Sequence, residues 1–189
     1  MSDLPPEARL WNLIRGALGT KTLGIAADLG VADALDAGPR SVAELSDENG
    51  ADADTLHRIL RALASDGVFA EDEPGVFRNT EASELLRSDH TDRWREFAHL
   101  FGEACYSATG ELDARLTDVP FARAYGTDIW SWFATKPEER SNFDRAMEDG
   151  QAERADKLAA LEWREDETVV DVGGGTGEPP RRPPRPRSP

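Results

Sequence analysis

The chain has 189 residues, 39% hydrophobic and 31% charged, with a formal net charge of −15. That length fits one large domain, or a domain with part of another, and no apolar run approaches membrane length. Four arginines (Arg181, Arg182, Arg185, Arg187) against one acid, Glu178, fall in the last twelve residues, so the remainder stands at −18. A surface that acidic opposes nucleic acid and anionic membranes as partners. The opening MSDLPPEARLWN has neither the basic nor the apolar region of a secretory signal. The single cysteine, Cys105, excludes an internal disulfide or a cysteine-cluster metal site, and a reduced, cytoplasmic setting is expected.

In chain order, Leu10, Leu13, Ile14, Ala17, Leu18, Leu23, Ala26, Ala27 and Leu35 recur at helical spacing. They cover more of the circumference than a lone surface helix needs, which suggests burial in a core or against a second subunit. Ser41 with Glu44 forms a capping-box pattern opening a short helix, and Asn49-Gly50 breaks it. Asp52 or Asp54 can cap the next helix, whose Leu56, Ile59, Leu60 and Leu63 repeat at i, i+3, i+4, i+7. Gly67 stands where that helix should end. Two strand pieces, around Val68-Phe69 and Val76-Phe77, are joined by a Pro-Gly turn. Helix, turn, helix and hairpin in that order predict a winged helix.

Thr80 can cap a further helix, EASELLR, and a longer one is predicted from about Asp92, carrying Trp94, Phe97, Leu100, Phe101 and Tyr106. The stretch DVPFARAYGTDIWSWF is aromatic and broken by Pro and Gly, so it reads as a turn with short helical pieces. From Pro137 a long helix is expected through Phe143, Met147, Leu158 and Leu161, with Glu138 and Glu139 at its positive end. Then ETVVDVGGGTG reads as a buried strand ending in a glycine-rich turn.

A winged helix commonly serves DNA, with its second helix in the major groove. Here that helix carries Arg58 and Arg61 but also Asp52, Asp54 and Asp66, and the wing reads AEDEPG. Phosphates would be repelled, so a structural or dimerising module is favoured over a DNA-binding regulator. His57, His90 and His99 lack metal-ligand spacing.

Gly173, Gly175 and Gly177 follow Asp171 in the pattern D-x-G-x-G-x-G. Glycines at a strand-to-helix turn remove the Cβ atoms that would keep a ligand off the backbone. The dinucleotide pattern G-x-G-x-x-G fails, because its third glycine would fall on Glu178. An ordinary tight turn is the other reading of these glycines.

Taken together, AADLGVADAL, LHRILRALASDGVF, PFARAYGTDIWSWF, FDRAM and VDVGGGTG decide the matter. Over roughly residues 8–177 the chain resembles the S-adenosylmethionine-dependent O-methyltransferases of the caffeic-acid and bacterial secondary-metabolite type. The resemblance implies a mainly α fold. A winged-helix-containing dimerisation domain would span residues 1–165, and the first strand of an α/β, Rossmann-like cofactor domain would span 166–177. It implies a homodimer whose helical part helps line the acceptor pocket, with no nucleic acid or membrane as partner. Asp171, Gly173, Gly175 and Gly177 would meet the methionine and ribose end of S-adenosylmethionine, and Phe143 and Met147 would lie near a small aromatic or polyketide-like acceptor. Plain core packing is the alternative for those two, since apolar pairs at i, i+4 do that in many helices. The family's general base is a His in the later part of the α/β domain, a position these 189 residues do not contain, so no catalytic residue is assigned and an inactive chain is expected.

The tail EPPRRPPRPRSP, residues 178–189, cannot supply the amphipathic helix that should follow the glycine turn, because Pro clashes in helix interiors. Shifted by one base, the Pro and Arg codons can spell Leu-Leu-Ala-Ala-Leu-Leu-Ala-Arg, a strong helix former. The sequence therefore predicts a frameshift that cut a longer enzyme short, against the alternative of a genuine disordered basic tail. A gene with no methyltransferase-like frame beyond the stop would exclude the frameshift.

Overall fold

The computed structural model describes residues 4–113 and 119–147. They are mostly helical, with one small three-stranded sheet. Helix α1 (Pro6–Asp28) opens with Pro in its first turn, where a missing N–H costs nothing. The helical spacing that continues to Leu35 in the sequence is interrupted at Gly30, whose φ of 64° is left-handed, and resumes as α2 (Val31–Ala34).

The second half of α1 buries small residues, Thr22, Gly24, Ala26 and Ala27. The reason is its closest neighbour, α6 (Trp94–Gly102). A Cβ on Gly24 would stand 2.9 Å from the Gly102 Cα, and one on Gly102 would stand 2.8 Å from the Gly24 Cα. Only two glycines let these backbones approach so closely.

Strand β1 (Arg40–Ser41) runs directly into α3 (Val42–Asn49). Ser41 Oγ accepts from Glu44 N–H while the Glu44 carboxylate accepts from Ser41 N–H, so the capping box forms as expected. Of the two candidate caps for α4 (Ala53–Ser65), Asp52 takes the position and accepts from Thr55 N–H at 2.9 Å. Past the end of α4, Gly67 adopts a φ of 79° and turns the chain. Strands β2 (Phe69–Glu73) and β3 (Val76–Asn79) form the hairpin across Pro74-Gly75, with a bulge between Glu71 and Glu73. The order β1-β3-β2 is antiparallel throughout, pairing Arg40 with Phe77 and Phe69 with Asn79.

Leu56, Leu60 and Leu63 project from one face of α4 onto Val31, Leu35, Leu45, Phe69 and Phe77, and this cluster is the main hydrophobic core. Thr80 caps α5 (Glu81–Glu84) and also donates to the Val68 carbonyl at 2.7 Å, tying that helix to the start of the hairpin. Beyond α5, Ser88 N–H donates to Asp33 at 2.9 Å and Arg95 meets the same carboxylate at 2.7 Å. These bonds anchor the connection into α6 on the α1–α2 corner.

The single long helix expected from Asp92 is two helices. Helix α6 ends at Glu103 (φ −113°, ψ −86°), and α7 (Ala104–Gly110) starts on a new axis. Lys21 of α1 donates to the Gly102 carbonyl at 3.0 Å and pairs with the Glu103 carboxylate. The bend thus sits where α1 grips the chain. Helices α8 (Pro120–Tyr125), α9 (Ile129–Thr135) and α10 (Pro137–Met147) complete the described residues. Leu158, Leu161, the strand and glycine motif at 168–177 and the tail lie outside them.

Candidate functional site

Six aromatic rings gather where α8, α9 and α10 meet, and each is placed by local rules. Pro120 starts α8, and Gly126 ends it with a φ of 72°. Asp128 caps α9 by accepting from Trp130 N–H and Ser131 N–H, and its Oδ2 accepts from the Ser131 hydroxyl at 2.6 Å. Those bonds, Ser131's first, hold the Asp128 carboxyl below the usual carboxylate range. With α9 so fixed, the step of about 100° per residue turns Trp132 away from the side shared by Trp130 and Phe133.

Trp132 faces α8, its ring 5.6 Å from Phe121 and 5.2 Å from Tyr125, while Phe121 and Tyr125 stack at 4.6 Å. Trp130 and Phe133, one turn apart, face α10 instead. Phe143 lies 5.0 Å from Phe133 and meets Trp130 edge-on at 5.8 Å. Phe133 is fully buried and Phe143 partly so, but Trp130 is 60% exposed and Met147, one turn beyond Phe143, 38% exposed. The two candidate acceptor residues are one turn apart on α10, and the half-buried Phe143 ring packs in the cluster.

Helix α10 is held from behind. Asn142 and Ala146 form the buried stripe, and Asn142 Nδ2 donates to the Glu96 carbonyl of α6 at 3.1 Å. Glu96 also pairs with Arg145 at 3.3 Å. Arg140 chelates Asp144 at 2.9 Å to each oxygen and lies 5.8 Å over the Trp130 ring.

A second feature lies on the first half of α1. Leu10, Trp11, Leu13, Ile14 and Leu18 of α1 are between 59% and 76% exposed. Five large apolar side chains over little more than two turns form a patch that monomeric proteins rarely leave in water.

On the hairpin side, Arg58 pairs with Asp54, and both Arg61 and His57 pair with Glu71. The Glu71 carboxyl is held below its ordinary range by the Gly75 N–H and His57. No helix among the described residues is long and apolar enough to cross a membrane, and no group of three or more potential metal ligands occurs among them. Phe143 and Met147 stand one turn apart on α10; Asp171, Gly173, Gly175 and Gly177 lie outside the described residues. No spacing in the sequence marks Trp130, although its segment is dense in aromatic residues.

The O-methyltransferase dimerisation domain family matches residues 11–89, and the O-methyltransferase domain family matches residues 93–179. The chain belongs to the O-methyltransferases. It is 34% identical over 181 residues to the phenazine O-methyltransferase PhzM of Lysobacter antibioticus, across 92% of this chain and 52% of that protein. The crystal structure of TnmH superposes with a TM-score of 0.80 at 34% identity, covering 92% of this chain and 52% of that one. The neocarzinostatin-biosynthesis O-methyltransferase NcsB1, solved with S-adenosylmethionine and 2-hydroxy-5-methyl naphthoic acid, gives a TM-score of 0.64 at 30% identity, over 76% of this chain and 46% of that one. The chain spans about half the length of the curated relatives it matches. Its relatives include methyltransferases solved with S-adenosylmethionine or its demethylated product, so S-adenosylmethionine is the cofactor of the family.

Proposed function

We propose that this chain is the dimerising and acceptor-lining part of an S-adenosylmethionine-dependent O-methyltransferase whose acceptor is a hydroxyl on a planar aromatic or polyketide-like molecule. The observation that carries this reading is the half-open aromatic cluster at Phe143, inside the span of the O-methyltransferase match. Phe143, Met147 and Trp130 offer an apolar wall with ring edges and a thioether, suited to the face of a flat acceptor. NcsB1, solved with a naphthoic acid, lends support for that acceptor class.

S-adenosylmethionine supplies a methyl group on a sulfonium centre. In this chain Asp171, Gly173, Gly175 and Gly177 would hold it, a fit resting on the D-x-G-x-G-x-G pattern and its missing Cβ atoms. The wall's part in such a displacement is orientation and exclusion of water, which supplies much of the rate of an in-line transfer. Residues 1–165 serve as the helical dimerisation part, 166–177 open the cofactor domain, and 178–189 stand outside both. On this division of labour the 189-residue chain by itself is expected to transfer no methyl group. Calorimetry on the chain should register no micromolar binding of S-adenosylmethionine; such binding would overturn this division of labour.

Helices α3 and α4 with the β2–β3 hairpin act in this reading as a winged-helix unit serving a homodimer, not DNA. The pairing of Arg58 and Arg61 with Asp54 and Glu71 supports that use, since acids beside both arginines offset the charge that phosphates would meet. The exposed α1 patch supports the homodimer. A non-catalytic dimerisation module remains the second reading, favoured by the same patch. A salt-sensitive affinity for DNA would contradict both. The lone, half-buried Cys105, its thiol pushed up by burial, suits a reducing cytoplasm.

A further inference from the structure

We propose that His99, held as an imidazolium between Asp28 of α1 and Glu139 of α10, is the positioning residue that sets α10 against the α1–α6 pair. What this means for an acceptor rests on the function proposed above; the joint itself does not.

His99 Nδ1 lies 2.7 Å from Asp28 Oδ1, and its Nε2 lies 3.0 Å from Glu139 Oε2. An ionised carboxylate can only accept, and a neutral imidazole has one N–H and one lone pair. Were the ring neutral, its lone pair would face one of the two carboxylates. Only the doubly protonated ring satisfies both contacts.

The neighbouring charges leave this task to His99 alone. On α1, Lys21 is engaged by Glu103. On α6, Arg95 is paired with Asp33 and Glu96 with Arg145. On α10, Arg140 is chelated by Asp144. Among the described residues, Asp28 and Glu139 have no ion-pair partner other than His99. Glu139 also sits in the first turn of α10, where a carboxylate is favoured by the helix end.

One proton thus ties three helices at the base of the element that carries Phe143 and Met147. The Asp28 hydrogen bond first, then Glu139's, outweigh the effect of burial and push the His99 pKa from 6.5 up to about 9. The folded value lies above the unfolded one. The joint's stabilisation is therefore complete below about pH 6.5 and is lost as pH rises through about 9.

Imidazole NMR on the 189-residue chain tests the joint directly. With three histidines in the sequence, His57→Gln and His90→Gln suffice for assignment. The expected result is a His99 ring doubly protonated at neutral pH, with its midpoint moved from 6.5 to about 9. A midpoint at or below 6.5 overturns the proposal. Tryptophan fluorescence gives the second readout, since Trp130 packs on Phe143. His99→Gln should show at neutral pH the spectrum that the native chain reaches only above about pH 9, and should lose the alkaline step. Adding Glu139→Gln to that variant should restore the neutral-pH spectrum, because two amides can pair without charge. An alkaline step that survives in His99→Gln would contradict the proposal. An intact joint in a chain that fails to recognise aromatic acceptors would count against the function, not against His99.

Discussion

The sheet-bearing unit buries Val31, Leu45, Leu56, Leu60 and Phe77 to 1% exposure or less, whereas the aromatic cluster of α8–α10 leaves Trp130 and Met147 open to solvent. Aliphatic side chains from α2, α3 and α4 close on Phe69 and Phe77 of the hairpin and need nothing further. In the aromatic cluster Phe121 and Phe133 are buried but Trp130 is not, and the apolar side chains in the first half of α1 stay mostly exposed. The first region holds the fold; on the function proposed above, the other two are the surfaces offered to an acceptor and to a second copy of the chain.

That contrast can be broken by substitution. Phe77→Ala should cost about 3–5 kcal/mol in urea unfolding, as expected for an aromatic lost from a sealed core. Phe143→Ala, at a half-open site, should cost roughly 1–2 kcal/mol, since less area leaves water there. Equal costs would mean that the aromatic cluster is a second core and not a wall. Gly102→Val should cost on the order of 1–3 kcal/mol by forcing α1 and α6 apart at their closest point. Thr80→Ala removes the cap of α5 and its tie to Val68, and should cost about 1 kcal/mol. Smallest is the acid response. Asp52 and Asp128 are held below the usual carboxylate value by the Thr55 and Ser131 hydrogen bonds. Their caps stabilise above about pH 3.8 and should weaken as pH falls below it, seen as a loss of helical circular dichroism.

Much of the first region was readable because its signals are local. The Ser41–Glu44 box, the Asp52 cap, Gly67 and the Pro74-Gly75 turn each act within four residues of their own position. Strand β1 was not readable, being two residues long and made a strand only by its pairing with β3. Nor was the break at Glu103, where the sequence is helical in propensity and the bend follows from the Gly24–Gly102 approach and the grip of Lys21. For the site, the family resemblance carried Phe143 and Met147. Spacing alone could not tell that Trp130 would be exposed and Trp132 half-buried, two residues apart on one helix. His99 gave no motif either, because its partners lie 71 and 40 positions away.

The exposed α1 face also offers a direct test. Leu13→Glu and Ile14→Glu should leave urea unfolding of the sheet-bearing unit within about 0.5 kcal/mol, because neither side chain touches its core. Both should abolish self-association. Sedimentation equilibrium of the unmodified 189-residue chain is the most direct measurement. The account predicts a species of twice the 20.7 kDa chain mass, reduced to a single chain by Ile14→Glu. A species of 20.7 kDa from the unmodified chain at tens of micromolar would contradict it.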